Sequence, residues 1–279
     1  MGFLDRIKTG IRLTIRSVFI VLNNRKLIAY PVLMLVVFAA VAPFIVAGFF
    51  GVMAAGNASG LPEESANVIG AIYGLIVYLI ITFISTFFST ALVHSSYRVF
   101  SGEEPRIRES LGAASKSLGT IFVWSLIAAT VGLIVQRLER RVPWIATLLS
   151  AAWAVLTFFI VPVIALEETS IRGMFRRSAE VFKQRWGETA VGIAGTGIVQ
   201  FAIALVGGAF VAASWFLLGV ESLAVGLAII TAVAAFLAGT AVSGVVKTAL
   251  YLHARDEGLP NQMADIDPDA LVQYRGGQG

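Results

Sequence analysis

The sequence predicts an all-α fold: an integral membrane helical bundle of six transmembrane helices with three amphipathic interfacial elbow helices. Three observations carry that expectation. Hydrophobic residues make up 57% of the 279 and charged residues only 14%, with a mean hydropathy of +0.84, whereas a soluble domain averages about 25% charged. Six apolar runs, at about 27–56, 68–94, 120–136, 144–166, 189–217 and 223–252, are long enough for a helix to cross roughly 30 Å of hydrocarbon. Lys and Arg gather between those runs, as the positive-inside rule requires of a multi-pass chain.

Residues 3–24 read as a helix lying in the interface. Phe3, Leu4, Ile7, Ile11, Ile15, Val18 and Leu22 recur on one face, with Lys8, Arg12 and Arg16 opposite, the pattern of a basic interfacial helix. The first span exceeds the minimum length, so tilt or a kink at Pro43 is expected. In the second span Thr82, Ser85, Thr86, Ser89 and Thr90 form a polar stripe. Such hydroxyls either line a water path or bond back to their own helix.

Residues 101–119 form the second elbow. Ser101 and Glu104 are spaced as a capping box, Pro105 suits a first turn, and Ile107, Leu111, Ala114 and Leu118 make a stripe beside Arg106 and Arg108. Residues 137–141 are expected to be a loop, because each central charge would cost about 2.5–3.5 kcal/mol inside the bilayer. The third elbow follows Pro162 and Glu167. Ile171, Met174, Phe175, Ser178, Phe182 and Trp186 share a face there, surrounded by Arg172, Arg176, Arg177, Lys183 and Arg185. Spans five and six are rich in glycine, which permits close helix contact. Residues 1–254 thus read as one membrane domain and 255–279 as a short polar cytoplasmic tail.

Charge orients the whole. The N-terminus, the 98–116 and 172–185 segments and the C-terminal end are basic, while 57–67 and 218–222 carry no Lys or Arg. Both termini are therefore expected on the cytoplasmic side. Arg137, Arg140 and Arg141 then fall on the outer side, against the rule. Trp144 and Trp215 outside, with Trp124 and Trp186 inside, fit an aromatic belt, and Trp153 is expected to pack mid-span.

The composition excludes much chemistry. There is no cysteine and there are only two histidines, His94 and His253, so neither a thiol nor a His-rich metal centre is expected. No Ser/His/Asp arrangement, HExxH, phosphate loop or carboxylate dyad appears. A catalytic residue, a cofactor and nucleic acid are not expected. What remains are polar groups at membrane depth, which are functional candidates by default: Glu167, Gln200 and Lys247. Lys247 either snorkels to the headgroups or pairs with Glu167 or Glu168. Glu167 faces a ring of arginines, so an ion pair with Arg172, Arg176 or Arg177 that locks the elbow is expected. Gln200 reads as helix–helix glue.

A short internal repeat ties the elbows together. Residues 103–108 and 167–172 both read Glu-Glu-x-x-Ile-Arg, and Thr-Ala-Leu recurs at 90–92 and 248–250. The chain looks like three units, each an elbow followed by a two-helix hairpin.

Residues 120–136, the 137–140 loop, TFFIVPVIALE at 157–167, FRRSAEVFKQRWGETAVG at 175–192 and ALYLHARDEGLP at 249–260 resemble a prokaryotic multi-pass membrane family, domain of unknown function number 6159. Pro162, Glu167, Arg177, Ser178 and Trp186 also resemble, distantly, the six-helix membrane domain attached to glycerophosphodiester phosphodiesterases. The resemblance implies a fold and a place, the plasma membrane of a prokaryote, and adds no chemistry. The expected function is non-enzymatic: basic elbows (Lys8, Arg12, Arg16, Arg106, Arg108, Arg172, Arg176, Arg177, Lys183 and Arg185) bind anionic membrane lipid or dock a partner protein, another copy included. The alternative is a transporter or channel for a small solute or lipid, using the Thr82–Thr90 stripe.

Overall fold

Every regular element among the described residues is helical; the computed structural model describes 3–58, 62–167, 169–184, 186–216 and 220–255. Helix α1 (Phe3–Asn23) passes through one 3-10 turn, Arg25–Ile28, into α2 (Ala29–Ala58). There follow α3 (Glu63–Phe100), α4 (Ile107–Lys116), α5 (Leu118–Glu139), α6 (Pro143–Thr157), α7 (Ile160–Leu166), α8 (Ile171–Gln184), α9 (Trp186–Phe216) and α10 (Glu221–Ala254). Five stretches are long and apolar enough to cross a membrane: Arg25–Gly56, Glu64–Phe100, Leu118–Glu139, Pro143–Leu166 and Glu221–Ala254. A shorter apolar stretch, Val199–Trp215, lies within α9. Arg185 and the 256–279 tail lie outside the described residues, as do the side chains of Lys8 and Trp186.

The core sits at one end. Its buried cluster joins Leu27 and Tyr30 at the start of α2, Leu92 and Val99 late in α3, Ile121 and Trp124 early in α5, Ile160 and Val163 of α7, and Val245 to Ala254 of α10. The opposite halves are exposed, with Phe44 at 78%, Phe201 at 68% and Ile230 at 65%. Lipid tails solvate such side chains as well as protein does, so the outer halves are held by local ties instead, such as the Tyr73 hydroxyl of α3 on the Ile45 carbonyl of α2 and Gly207 of α9 against Thr231 of α10.

The elbows cap the packed end, and they do so with faces the sequence pattern did not single out or assigned to lipid. In α1 the buried residues are Leu13, Thr14, Ser17, Ile20 and Val21, while Ile15 and Leu22 of the expected apolar stripe are exposed. The helix has two apolar faces, and the one with small hydroxyl residues is taken by α9 and α10. In α8 the stripe does bury Met174, Ser178 and Phe182, together with Val181, but it packs against protein. Phe175 lies against Trp124 and Trp153, which are stacked at 5.7 Å and 13°. Trp124 is therefore a core residue and not part of an aromatic belt, whereas Trp144 and Trp215 are exposed.

Three boundaries differ from the sequence reading. Ser101 ends α3, its hydroxyl bonding the Tyr97 carbonyl, and α4 begins only at Ile107; no capping box forms because Gly102 turns the chain at φ 79° first. Arg137 and Glu139 belong to the last turn of α5, since a charge at a helix end reaches the interface without leaving the helix. The fourth span breaks at Phe158–Phe159 rather than at Pro162 itself. A proline removes the bond to the carbonyl four residues back and crowds it, and four residues before Pro162 is Phe158. The Phe159 amide at the break is taken by Ser178 Oγ of α8 at 3.2 Å, which satisfies a backbone group where water is absent. Pro43, by contrast, sits inside an uninterrupted α2.

The one-ended core predicts an asymmetry in stability. Met174→Ala, at a fully buried site, is expected to cost about 2–5 kcal/mol, whereas Ile15→Ala should stay within about 0.5 kcal/mol. Thermal unfolding of the two variants in detergent measures the difference.

Candidate functional site

Two polar cavities open in the packed end, and they divide the sequence candidates between them. The first, of about 580 Å³, lies between α3, α4 and the start of α5 on one side and α7 and α8 on the other. His94, Lys116, Ser117, Thr120, Glu167 and Ser170 supply its polar lining. The second Glu-Glu-x-x-Ile-Arg segment contributes Glu167, Thr169 and Ser170 to its lining, and the first lies at the start of α4, whose far end supplies Ala113 and Lys116. In both, the helix begins at the isoleucine, Ile107 for α4 and Ile171 for α8.

Each wall is pinned by an arginine–carboxylate set. Arg98, near the end of α3, pairs with Glu103 at 3.0 Å and with Glu109. Arg106 reaches Glu109 at 2.7 Å. The Arg106 hydrogen bond, with the charges of Arg106 and Arg98, holds the Glu109 carboxyl below its ordinary value of 4.5 despite partial desolvation. A depressed carboxylate stabilises above its unfolded value, so this contribution is lost only as pH falls below about 4.5. His94 Nδ1 lies 3.2 Å from Ser110 Oγ, a second tie between α3 and α4.

On the other wall Glu167 caps the end of α7. Its Oε1 accepts from Arg177 Nε at 3.1 Å and from the Tyr251 hydroxyl of α10. Of the three arginines expected near Glu167, Arg177 is the partner; Arg176 pairs with Glu180 at 3.5 Å. Glu168 lies outside the described residues, and Lys247 does not pair with Glu167. Tyr251 takes that place, one helical turn further along the same face of α10. Sequence reasoning missed Tyr251, and its spacing of four from Lys247 was the signal available.

Arg12, Arg108, Arg172 and Lys183 are exposed, and Arg108, Arg172 and Lys183 make no ion pair among the described residues. Arg16 is exposed as well.

The second cavity, of about 320 Å³, lies deeper, among α2, α3, α7, α9 and α10. Lys247, Gln200, Ser85, Ser89, Thr240 and Ser243 line it. The Lys247 ammonium stands 5.1 Å from the centre of the Phe158 ring, at the α6–α7 break. Gln200 lies across Gly239, where a Cβ would collide with its amide, and Gly244 accommodates Leu92 of α3 in the same way. Two glycines on α10 thus set how closely α9 and α3 approach it. Among the described residues no group of His, Asp or Glu could hold a metal ion.

With this geometry the comparisons with known proteins can be placed. Residues 68–259 match the model of a family of unknown function, DUF6159. The chain belongs to that family. The match runs from early α3 past the end of α10 and so includes both cavities, apart from Met34 at the rim of the deeper one. No curated protein and no solved structure matches the chain.

Removing the Glu167 carboxylate should loosen α7, α8 and α10 together. Glu167→Gln and Tyr251→Phe are each expected to cost about 1.5–3 kcal/mol, the worth of a hydrogen bond to a charged group. A cycle of Glu167→Gln with Arg177→Met, read by thermal unfolding, should show the double variant less destabilised than the two singles summed.

Proposed function

We propose that this DUF6159 protein is a non-enzymatic, six-span protein of a prokaryotic plasma membrane that holds anionic lipid headgroups at its cytoplasmic face. The carrying observation is how α4 and α8 divide their faces. Their apolar stripes turn into the bundle, and Arg108, Arg172 and Lys183 are left outward, in no ion pair among the described residues. Between them opens the larger cleft, with Lys116 and His94 in its lining and the Glu167 carboxylate paired with Arg177. Clustered basic residues beside membrane spans attract anionic headgroups by about 1 kcal/mol each. Six crossings follow if α9, with 31 residues, spans alongside the five long apolar helices. Both termini then share the basic, cytoplasmic side. Docking of a partner protein on the same exposed basic faces is the other use they fit.

A second reading, passage of a small solute or lipid, rests on the deeper cavity at Lys247. Breaks in spanning helices beside a polar cavity are the usual architecture of such paths, and the α6–α7 break adjoins it.

Two measurements test the proposal. The full chain in nanodiscs of mixed phosphatidylcholine and phosphatidylglycerol should enrich the anionic lipid. Arg108→Gln, Arg172→Gln and Lys183→Gln combined should cut that enrichment roughly tenfold or more at low salt. Equal retention of both lipids by the wild type would refute it. For topology, the absence of cysteine makes single probes clean: Ser101→Cys should label only from the cytoplasmic side and Ser59→Cys only from outside.

A further inference from the structure

The Lys247 cavity carries a charge that no acid among the described residues answers. An ammonium buried at membrane depth is costly unless something pairs with it. A single aromatic face offsets only part of that cost, and the Phe158 ring is the one such partner of the Lys247 ammonium, with no hydrogen bond or ion pair beside it among the described residues. No Asp or Glu among the described residues lines the cavity.

The hydroxyls around it are likewise unanswered. Many serines and threonines in these helices donate to the carbonyl four residues back, as Thr82, Ser96, Ser125, Thr130, Thr157, Thr231 and Thr248 do, although Thr90 and Ser95, away from this cavity, do not. Ser85 and Ser89 on α3 and Thr240 and Ser243 on α10 have no such bond and line the cavity instead. Ser85 and Ser89 are spaced i, i+4, and Thr240, Ser243 and Lys247 are spaced i, i+3, i+7. Each set therefore occupies one face of its helix, and the two faces meet across the space. Met34, Val161 and Phe236 give it an apolar flank.

We infer that this cavity is a binding site for an oxyanion, a carboxylate or phosphate paired with Lys247 and bonded by the Ser85, Ser89, Thr240 and Ser243 hydroxyls, with the apolar flank receiving an attached chain. A volume of about 320 Å³ is at the small end of ligand sites; it holds a headgroup and part of a chain, not a whole lipid. The inference names a ligand class for the cavity behind the second reading above, but occupancy does not require transport. The site is also separate from the headgroup cleft, with which it shares no lining residue.

The test uses the purified full chain in phosphatidylcholine nanodiscs, read by its unfolding midpoint and by size-exclusion profile. Octanoate should raise the midpoint and octanol should not, since the two differ in charge and hardly in length. Lys247→Met should abolish the shift. Ser85→Ala with Ser89→Ala, which leaves the lysine in place, should weaken the octanoate dose response at least threefold and carries the test if Lys247→Met fails to fold. Inorganic phosphate and phosphatidylglycerol form two further arms: a Lys247-dependent shift with the first assigns a soluble oxyanion, and with the second a membrane lipid. Arg108→Gln, Arg172→Gln and Lys183→Gln should leave every one of these shifts intact, so loss of the headgroup cleft and loss of this site are told apart. Equal shifts from octanol and octanoate, shifts that survive Lys247→Met, an unchanged response in the serine double variant, or no shift with any oxyanion would overturn the inference.

Discussion

The Glu167 carboxylate joins three helices that lipid alone would let drift apart. In a bilayer apolar surface gives no preference for protein over lipid tails, so hydrogen bonds and close packing must hold a bundle together. Glu167 ends α7, Arg177 belongs to α8 and Tyr251 to α10, and their meeting point lies at the packed end of the molecule. Ser178, one residue along α8, takes the Phe159 amide at the α6–α7 break. One surface helix therefore satisfies both the charge and the orphaned backbone of the span it follows. The two cavities owe their shapes to that arrangement, because α7 forms part of the wall of each.

The same economy explains why the elbows turned inward. An amphipathic helix at the end of a bundle can bury its stripe in headgroups or against the exposed ends of its neighbours. Here the neighbours offer stacked Trp124 and Trp153 to Phe175, and small hydroxyl residues let α1 approach closely. Aromatic pairs in such arrangements contribute about 0.5–1.5 kcal/mol beyond area, and lipid offers no equivalent. The basic residues are what is left facing outward.

Much of this was legible in the sequence, and the rest was not for physical reasons. Apolar run length located the long helices, and the Glu-Glu-x-x-Ile-Arg repeat marked where α4 and α8 begin. The Glu167 pairing was visible as an acid beside several arginines, though the choice of Arg177 needed coordinates. Lys247 and Gln200 stood out as polar groups in apolar runs, yet only packing shows that they share a cavity. Tyr251 was hidden because a tyrosine near a helix end has several ordinary uses. The buried face of α1 was hidden because Leu13, Thr14, Ser17, Ile20 and Val21 carry too little contrast to register as a stripe. The position of the break was derivable from Pro162 by counting back four residues.

The unequal helices have a mechanical consequence. Helix α3 has 38 residues, about 57 Å at 1.5 Å per residue, and α5 has 22, about 33 Å. Clamped at one end and more sparsely joined at the other, helices of such different reach can change tilt unequally when the bilayer thickens or thins. The strain of matching the membrane is then absorbed in the outer halves, and both polar cavities sit at the clamped end, as a vice holds its workpiece while the free ends bend.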